Sequence, residues 1–392
     1  MKLFTFILVS ILTGIELDLF IPSFPEMQRF FDISTFETQM ALSINFISYC
    51  IGAILVGWLG DRYPRKHVMV CGISLFVLGS LLCVFPFTYD FLLLGRALQG
   101  IGISAPSILI PVLIADDYPE DKQVHLFGLI HGTCAIAMSF APIAGSYISL
   151  LFSWRANFIA LLICGVLCLI LALYYIKPSL QNVVKSSFYR SYISCILSKN
   201  FWLIGLVIWF ATAPYWVFIG MAPLLYMDRM TVSLETFGIY QGSLALAFAI
   251  PSLFSGVFIK KFGRKACFNF GCICSLITCV IILLVGIFES YNPFFVTGSF
   301  IPCSIGVAFL VNMLYPAAMS LHKNDKSKIT ALLIGMRLLI CSFFLQLASY
   351  YGHQNLFPTS AVISFSILLS FVFIILLLRI IPKVVNIGTI IL

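Results

Sequence analysis

The stretch TFILVSILTGIELDLFIPSFP, from Thr5 to Pro25, is long and apolar enough to cross a lipid bilayer, which takes about 20 apolar residues. It also carries two acidic residues, Glu16 and Asp18, in its interior. A charged side chain at the bilayer centre costs about 2.5–3.5 kcal/mol on insertion scales, so acids in such a segment usually mark a proton or ion pathway. The stretch therefore indicates both a membrane protein and a functional site within its first helix.

The composition of the whole chain agrees with a membrane protein. Of its 392 residues, 61% are hydrophobic and only 10% are charged, whereas soluble domains carry about 25% charged residues. The net charge of +8 comes from basic residues in short loops, so no nucleic-acid partner is predicted. The 13 cysteines are scattered, with no CxxC pair and no cluster with histidine, and they predict neither a metal site nor a disulfide framework. No nucleotide-binding or hydrolase motif stands in a suitable context, so the protein is not expected to be an enzyme.

The apolar runs predict an all-α membrane protein with twelve transmembrane helices. Most connections between the runs are short, and the exception is the basic stretch 177–200. We therefore predict a six-helix bundle over 1–176, a cytoplasmic linker over 177–200 and a second six-helix bundle over 201–392. The predicted spans are 4–24, 39–59, 67–87, 91–114, 124–150, 155–176, 201–226, 237–259, 266–288, 293–318, 328–350 and 357–381.

The distribution of Lys and Arg predicts the orientation. Eighteen of these residues fall on the side that holds the N-terminus, three fall on the opposite side, and two, Arg96 and Arg337, fall within spans. Because cytoplasmic loops carry the excess of basic residues, both termini are predicted to be cytoplasmic.

An internal repeat supports two related halves. The loop after span 2, GWLGDRYPRK at Gly57–Lys66, and the loop after span 8, GVFIKKFGRK at Gly256–Lys265, share the pattern G-x(7)-R-K. Each loop follows the second span of its half. Repeats of this kind are typical of transporters that bind substrate near the midplane between two pseudo-symmetric bundles.

Four motifs resemble those of the major facilitator superfamily, in the twelve-helix drug:proton antiporter group, and most of all the Bcr/CflA-type multidrug exporters with MdfA as a relative. The motifs are DLFIPSFP at Asp18–Pro25, the loop at Gly57–Lys66, LGRALQGIG at Leu94–Gly102 and APIAG at Ala141–Gly145. In one departure, the extra acid of the first helix, Glu16, stands only two residues before the matching Asp18.

The resemblance implies a proton-coupled antiporter that exports lipophilic drugs or toxic compounds by alternating access. It also implies a small-molecule substrate, protons as the coupling ion with no other cofactor, a monomer in the lipid bilayer, and a bacterial inner (cytoplasmic) membrane location. Two alternatives stay open: a dedicated exporter or importer of a single metabolite or siderophore, and a non-transporting membrane sensor or receptor on the same fold.

The predicted proton-coupling residues are Asp18, Glu16 and Arg96. Asp18 and Arg96 each lie about 8–9 Å below the outer surface, counted at 1.5 Å per residue, so their depth allows an ion pair. Such a pair is either the coupling device or a fixed structural contact. Glu16 lies about 200° around the helix from Asp18, so the two acids are expected to face different neighbours.

A gate is implied at the loop after span 2, where the family pairs the loop aspartate with span 11 when the cytoplasmic side is closed. Arg337 of span 11 lies roughly 13 Å inside the cytoplasmic end. Binding to backbone carbonyls and electrostatic effects on the substrate stay open as other roles for it. The predicted gating residues are Gly57, Asp61, Arg62, Arg65, Lys66 and Arg337.

Span 5 carries small residues at four-residue spacing, which permits close helix approach, and Pro142 adds a kink. The resemblance implies that this helix crosses the interface between the halves, with Pro142 and Gly145 as its marker residues. A drug pocket needs an apolar, aromatic lining with a few polar groups. The candidates by helix position are Asn45, Tyr49, Gln99, Met138, Trp209, Tyr215, Trp216, Gln241, Asn312 and Tyr315.

Overall fold

The computed structural model of the chain is helical throughout the residues that it describes, which are 1–118, 120–177, 192–193, 195–289, 291–321, 326–352 and 356–381. Twelve helices are long and apolar enough to cross a membrane, as predicted. The predicted linker 177–200 falls largely outside the described residues, so the domain boundaries stay a prediction.

The first span has a break at the stretch that opened the sequence analysis. Helix α1 covers Lys2–Asp18, a 3-10 turn follows at Ile21–Ser23, and a short unnumbered helix covers Phe24–Phe31. Proline at positions 22 and 25 supplies no backbone N–H and begins each of the two later pieces, so the regular helix predicted over 4–24 ends early.

The other spans are single helices. They are α2 (Thr35–Arg62), α3 (Arg65–Val84), α4 (Tyr89–Asp117), α5 (Glu120–Leu151), α6 (Trp154–Tyr175), α7 (Lys199–Pro223), α8 (Leu234–Phe262), α9 (Arg264–Ile287), α10 (Pro293–Ser320), α11 (Lys326–Gly352) and α12 (Leu356–Ile380). A π-helical turn at Leu224–Arg229 extends α7. Local signals fix several starts: Ser34 and Glu37 form a reciprocal capping box at α2, and Ser233 accepts from the backbone N–H of Thr236 at α8.

Helices α1–α6 pack against one another, and helices α7–α12 do the same, which gives the two predicted six-helix bundles. The bundles meet mainly along two helix pairs, α2 with α11 and α5 with α8. Glycine lets the second pair come close: a methyl group added at Gly238 would lie 3.0 Å from the carbonyl oxygen of Pro142. The bundles also touch less extensively between α4 and α11 and between α2 and α7.

The two bundles are tied together at the end that holds Pro22. Gln39 Nε2 donates to the carbonyl oxygen of Gly220 at 2.6 Å, and Gln346 Nε2 donates to Ser43 Oγ at 2.8 Å. The bonds join α2 to α7 and α2 to α11. We call this the Pro22 end, and the opposite end, where α2 finishes, the Asp61 end.

Candidate functional site

Glu16 belongs to a polar network inside the first bundle. Its Oε1 atom lies 2.9 Å from Arg96 Nη1 and accepts a second hydrogen bond from Asn45 Nδ2 at 2.9 Å. Arg96 also donates to Gln99 Oε1 at 2.5 Å and lies over the Phe20 ring, 4.2 Å from its centroid. All the side chains in this network come from α1, α2, α4 and the turn after α1. The pair is fully buried, and its charges are compensated where they stand.

The predicted ion pair between Asp18 and Arg96 is therefore wrong, because Arg96 pairs with Glu16. The expected 200° rotation explains this result. Glu16 points from α1 towards α4, within the bundle, and Asp18 points the opposite way. Depth alone suggested Asp18, but the two acids differ by only about 3 Å in depth, too little to choose between them.

Asp18 faces the second bundle instead. It is fully buried, and among the described residues neither of its carboxyl oxygens has a hydrogen-bond partner. Its polar neighbours across the interface are Gln241 of α8 and Tyr215 of α7. The Gln241 amide approaches the Asp18 carboxyl without a well-aligned hydrogen bond, and the Tyr215 hydroxyl has no hydrogen-bond partner among the described residues. Because nearly every buried polar atom in a folded protein has a well-formed hydrogen bond, these three adjacent side chains indicate a place for a ligand or water.

Arg337 of α11 forms a second polar group between the bundles. Tyr315 of α10, Cys341 of α11 and Tyr49 of α2 lie within electrostatic range of its guanidinium. Ser107 of α4 lies beside Tyr49. This group is nearer the Asp61 end than Asp18 is, because Tyr49 stands one helical turn beyond the Asn45 that contacts Glu16.

At the Asp61 end, Asp61 pairs with a different residue of span 11 from the one that the sequence predicted as a gating residue. Asp61 Oδ2 lies 3.4 Å from Lys328 Nζ, at the start of α11, so the predicted contact to span 11 is present. Arg337 stands nine residues further along α11, about 13 Å away, and does not reach it. Lys328 was missed as a site residue because it counted only as one more basic residue of a cytoplasmic loop.

The other residues of the loop motif at Gly57–Lys66 contact neighbouring helices. Gly57 lies against Ala331 of α11 and the Tyr192 hydroxyl, which leaves no room for a side chain. Arg62 lies over the Trp58 ring, 5.3 Å from its centroid, and Lys66 Nζ donates to a carbonyl oxygen of α6 at 2.6 Å. Arg65 is buried at the start of α3. The loop thus packs against α11 of the second bundle and α6 of the first at the Asp61 end.

The two marker residues of α5 lie where helices approach most closely. A methyl group added at Gly145 would overlap the backbone carbonyl of Leu19, so only glycine lets the end of the first span sit there. Asn157 Nδ2 donates to the Gly145 carbonyl oxygen at 3.2 Å. The Pro142 carbonyl faces α8. These contacts hold the stretch after Asp18 in place against α5.

The substrate-binding candidates fall into three groups. Asn45 and Gln99 belong to the Glu16 network, and Gln99 Nε2 is also bound to Ser80 Oγ at 2.8 Å. Trp209 is fully buried and donates to the Leu333 carbonyl at 2.9 Å, and Asn312 donates to the Ser252 carbonyl at 3.3 Å. The structure thus gives these four side chains intramolecular partners.

The remaining candidates stay at the interface. Trp216 packs edge-on against Phe46 of the other bundle, with ring centroids 5.2 Å apart. Met138 is half-buried on α5. Tyr49 and Tyr315 lie within electrostatic range of Arg337, and Tyr215 and Gln241 lie near Asp18.

Comparisons with known proteins agree with this geometry. The sequence profile described as Major Facilitator Superfamily matches residues 6–344. An uncharacterized transporter of Rickettsia felis is 24% identical over 317 residues, which cover 78% of each chain. YdgK of Bacillus subtilis, an uncharacterized MFS-type transporter, is 25% identical over 86% of this chain and 85% of its own. The multidrug resistance protein MdtL of Escherichia coli (strain K12) is 25% identical over 60% of this chain and 62% of its own.

Two solved structures are similar along almost the whole chain. A partially occluded inward-open structure of the xylose transporter XylE from E. coli superposes with a TM-score of 0.76 at 14% identity, covering 97% of both chains. An inward-facing, occupied structure of a bacterial homologue of the human lysosomal transporter Spinster gives a TM-score of 0.77 at 15% identity, with the same coverage. At these identities the likeness shows the fold alone.

Proposed function

Because the chain belongs to the Major Facilitator Superfamily, a family of membrane transporters, we propose that it is a proton-coupled antiporter that exports lipophilic small molecules by alternating access. We further propose that it works as a monomer in the bacterial inner membrane, with both termini in the cytoplasm. The similarity to MdtL, a multidrug resistance protein, supports export of toxic compounds.

The position of Asp18 is the observation that carries the proposal. A carboxylate without a partner in the membrane interior costs several kcal/mol, and protonation removes that cost. Asp18 lies between the two bundles, whereas Glu16 is neutralised by Arg96 inside one bundle. Asp18 is therefore the acid whose surroundings change when the bundles move apart at either end.

The proposed cycle moves one proton in for each substrate that leaves. With the Pro22 end open, a proton binds a carboxyl oxygen of Asp18, and the substrate departs outward. With the Asp61 end open, Asp18 releases that proton to the cytoplasm, and its carboxylate accepts a cationic or hydrogen-bond-donating substrate. The ion pair between Asp61 and Lys328 closes the cytoplasmic side during the outward-open stage and must break when that side opens.

The test is transport in proteoliposomes that contain the pH-sensitive dye pyranine. The wild-type protein should drive ethidium against its gradient when a proton gradient is imposed, with proton movement in the opposite direction. Asp18→Asn should abolish both movements while the protein still inserts and elutes as a folded species. Asn keeps the size of the side chain and removes only the ionisable group.

Glu26→Gln is the matched control. Glu26 lies in the short helix at the Pro22 end, where its Oε2 accepts from the Trp154 backbone N–H at 3.0 Å, a bond that glutamine can keep. This variant should transport as the wild type does. Proton-coupled transport by Asp18→Asn at the wild-type rate contradicts the assignment of Asp18. Absence of gradient-driven ethidium movement in the wild type contradicts export of lipophilic cations.

A further inference from the structure

Arg337 is a charged group between the bundles that the proton cycle does not use. Tyr315 of the second bundle and Tyr49 of the first lie within electrostatic range of its guanidinium. Gly335, two residues earlier on α11, lies against Cys50 of α2, so Arg337 is placed beside the first bundle. Both Arg337 and Tyr315 remain partly exposed although helices surround them. The Asp18 side chain, nearer the Pro22 end, is fully enclosed.

Arg337 has no acidic partner in the part of the chain that the structure describes. The acids on the facing parts of the first bundle, Glu16 and Asp61, are paired with Arg96 and Lys328 instead. Arg337 Nε makes no hydrogen bond to any described residue, and neither does the Tyr315 hydroxyl. Its other neighbours, Tyr49 and Cys341, are neutral side chains.

An arginine in this position calls for an anionic ligand. Charged groups within a membrane protein normally pair with one another or face a functional cavity. A guanidinium presents a planar set of donors that matches a carboxylate at two points, and the Tyr315 hydroxyl is free to add a third hydrogen bond. The arrangement fits a carboxylate held between α2, α10 and α11.

The distance between Arg337 and Asp18 restricts the ligand further. Asp18 stands two residues beyond Glu16 on α1, and Tyr49 stands four residues beyond Asn45 on α2, in the opposite direction. At 1.5 Å per residue, the level of Asp18 and that of Arg337 are about 9 Å apart along the helices. The region between the bundles therefore holds one acidic group, Asp18, and one cationic group, Arg337, at different depths along the helices, and neither belongs to a described ion pair.

We propose that the transported compound is amphoteric, with an amine that binds Asp18 and a carboxylate that binds Arg337, separated by an apolar body. The inference deepens the proposed function, because it assigns a substrate class to the same route between the bundles. An α-amino acid, whose two charged groups share one carbon, is too short to reach both residues. The apolar body would lie along the aromatic side chains between the two levels, such as Phe46 and Trp216.

The test compares four small probes in binding to the detergent-purified full chain by titration calorimetry. The first is 4-(aminomethyl)phenylacetic acid, called here the para compound, which has its amine and carboxylate at opposite ends of a benzene ring. Phenylalanine is its isomer with the two charges adjacent. 4-(Aminomethyl)phenylacetamide keeps only the cation, and 4-methylphenylacetate keeps only the anion.

The wild-type protein should bind the para compound at least about tenfold more tightly than the other three probes, since hydrogen bonds to a charged group are worth a factor of roughly 10–100. Arg337→Gln should reduce the affinity for the para compound to that for the amide and leave the amide unchanged. Arg337→Lys keeps the positive charge but loses the planar set of donors. Its affinity for the para compound should lie between that of the wild type and that of Arg337→Gln. Asp18→Asn should lower the affinities for the para compound and for the amide by a similar factor.

Arg155→Gln is the matched control for loss of an arginine. Arg155 lies at the Pro22 end over the rings of Phe30 and Trp154, away from the route, and its removal should change none of the four affinities. Equal affinity of the wild type for the para compound and the amide overturns the inference. The inference is also overturned if Arg337→Gln lowers the affinities for the para compound and the amide equally, or if the wild type does not bind the para compound.

The two proposals fail separately. The binding experiment uses no proton gradient, so a wild-type protein that selects the para compound but moves no protons contradicts only the antiport mechanism. If the protein uses a proton gradient to export ethidium but binds the para compound no more tightly than its amide, only the proposal of an amphoteric substrate is contradicted.

Discussion

Replacing Glu16 with glutamine should destabilise the protein strongly, and replacing Asp18 with asparagine should not. Glu16→Gln leaves the buried Arg96 guanidinium without its counter-charge, and removal of one partner from a buried ion pair costs about 3–5 kcal/mol. Glutamine can still accept one of the hydrogen bonds from Arg96 or Asn45, so the expected loss is near the lower value, about 3 kcal/mol. Asp18 belongs to neither of the described ion pairs, and asparagine keeps a side-chain oxygen that can accept from Gln241.

The size of the effect can be converted into a melting temperature. At about 2.1 cal/mol/K for each residue, the unfolding entropy of a 392-residue chain is roughly 0.8 kcal/mol/K. A loss of about 3 kcal/mol therefore lowers the Tm by roughly 4 °C. Because most of the described cysteines are buried, a thiol-reactive fluorescent dye added during heating reports unfolding directly.

A double variant provides the internal check. Glu16→Leu with Arg96→Met removes both charges and should melt well above Glu16→Leu alone, because no uncompensated charge remains. Asp18→Asn should melt close to the wild type. If Asp18→Asn lowers the Tm as much as Glu16→Gln does, the arginine pairs with Asp18 and the placement of the two acids on opposite sides of α1 is refuted.

Three further changes test other contacts. Gly145→Val should abolish transport and lower the yield of folded protein on size-exclusion chromatography, because its side chain would overlap the backbone of the first span; wild-type behaviour would contradict that close approach. Asp61→Lys and Lys328→Asp should each slow ethidium transport, and the two together should restore part of it, whereas no rescue would show that the ion pair does not act in the gate. Dicyclohexylcarbodiimide, which modifies protonated carboxyl groups, should label Asp18 and spare Glu16 in peptide mass spectrometry, and the reverse pattern would contradict the proposed roles.

The sequence predicted the number of spans because each span must be apolar over its whole length. It misplaced the end of the first helix, although the prolines at positions 22 and 25 were visible. A hydropathy count measures how far apolar residues continue, and they continue through the turn at Ile21–Ser23 as far as Pro25, before the charged residues of the short helix begin at Glu26. The end of α1 at Asp18 therefore could not be located from hydropathy.

The sequence limited which residues could pair with each buried charge, but it did not determine which of them does. Depth along a helix follows from counting residues, so Arg96 was placed at the level of the first-span acids. The choice between Glu16 and Asp18 depends on the rotation of α1 about its own axis, which tertiary packing sets. The same limit applies to α11, where the sequence placed Lys328 and Arg337 on one helix but did not show which of them meets Asp61.

The separation of the two acids has a consequence for coupling. Every described polar contact of Glu16 comes from α2 and α4, within its own bundle, so a rocking motion between bundles leaves its surroundings unchanged. Asp18, by contrast, has Gln241 and Tyr215 of the opposite bundle as polar neighbours besides Cys134 of α5, and the same motion carries the first two away. A group binds or releases a proton in step with a conformational change only if that change alters its surroundings. Two acids two residues apart on one helix are thus suited to different tasks: Glu16 holds the bundle together, and Asp18 responds to its movement.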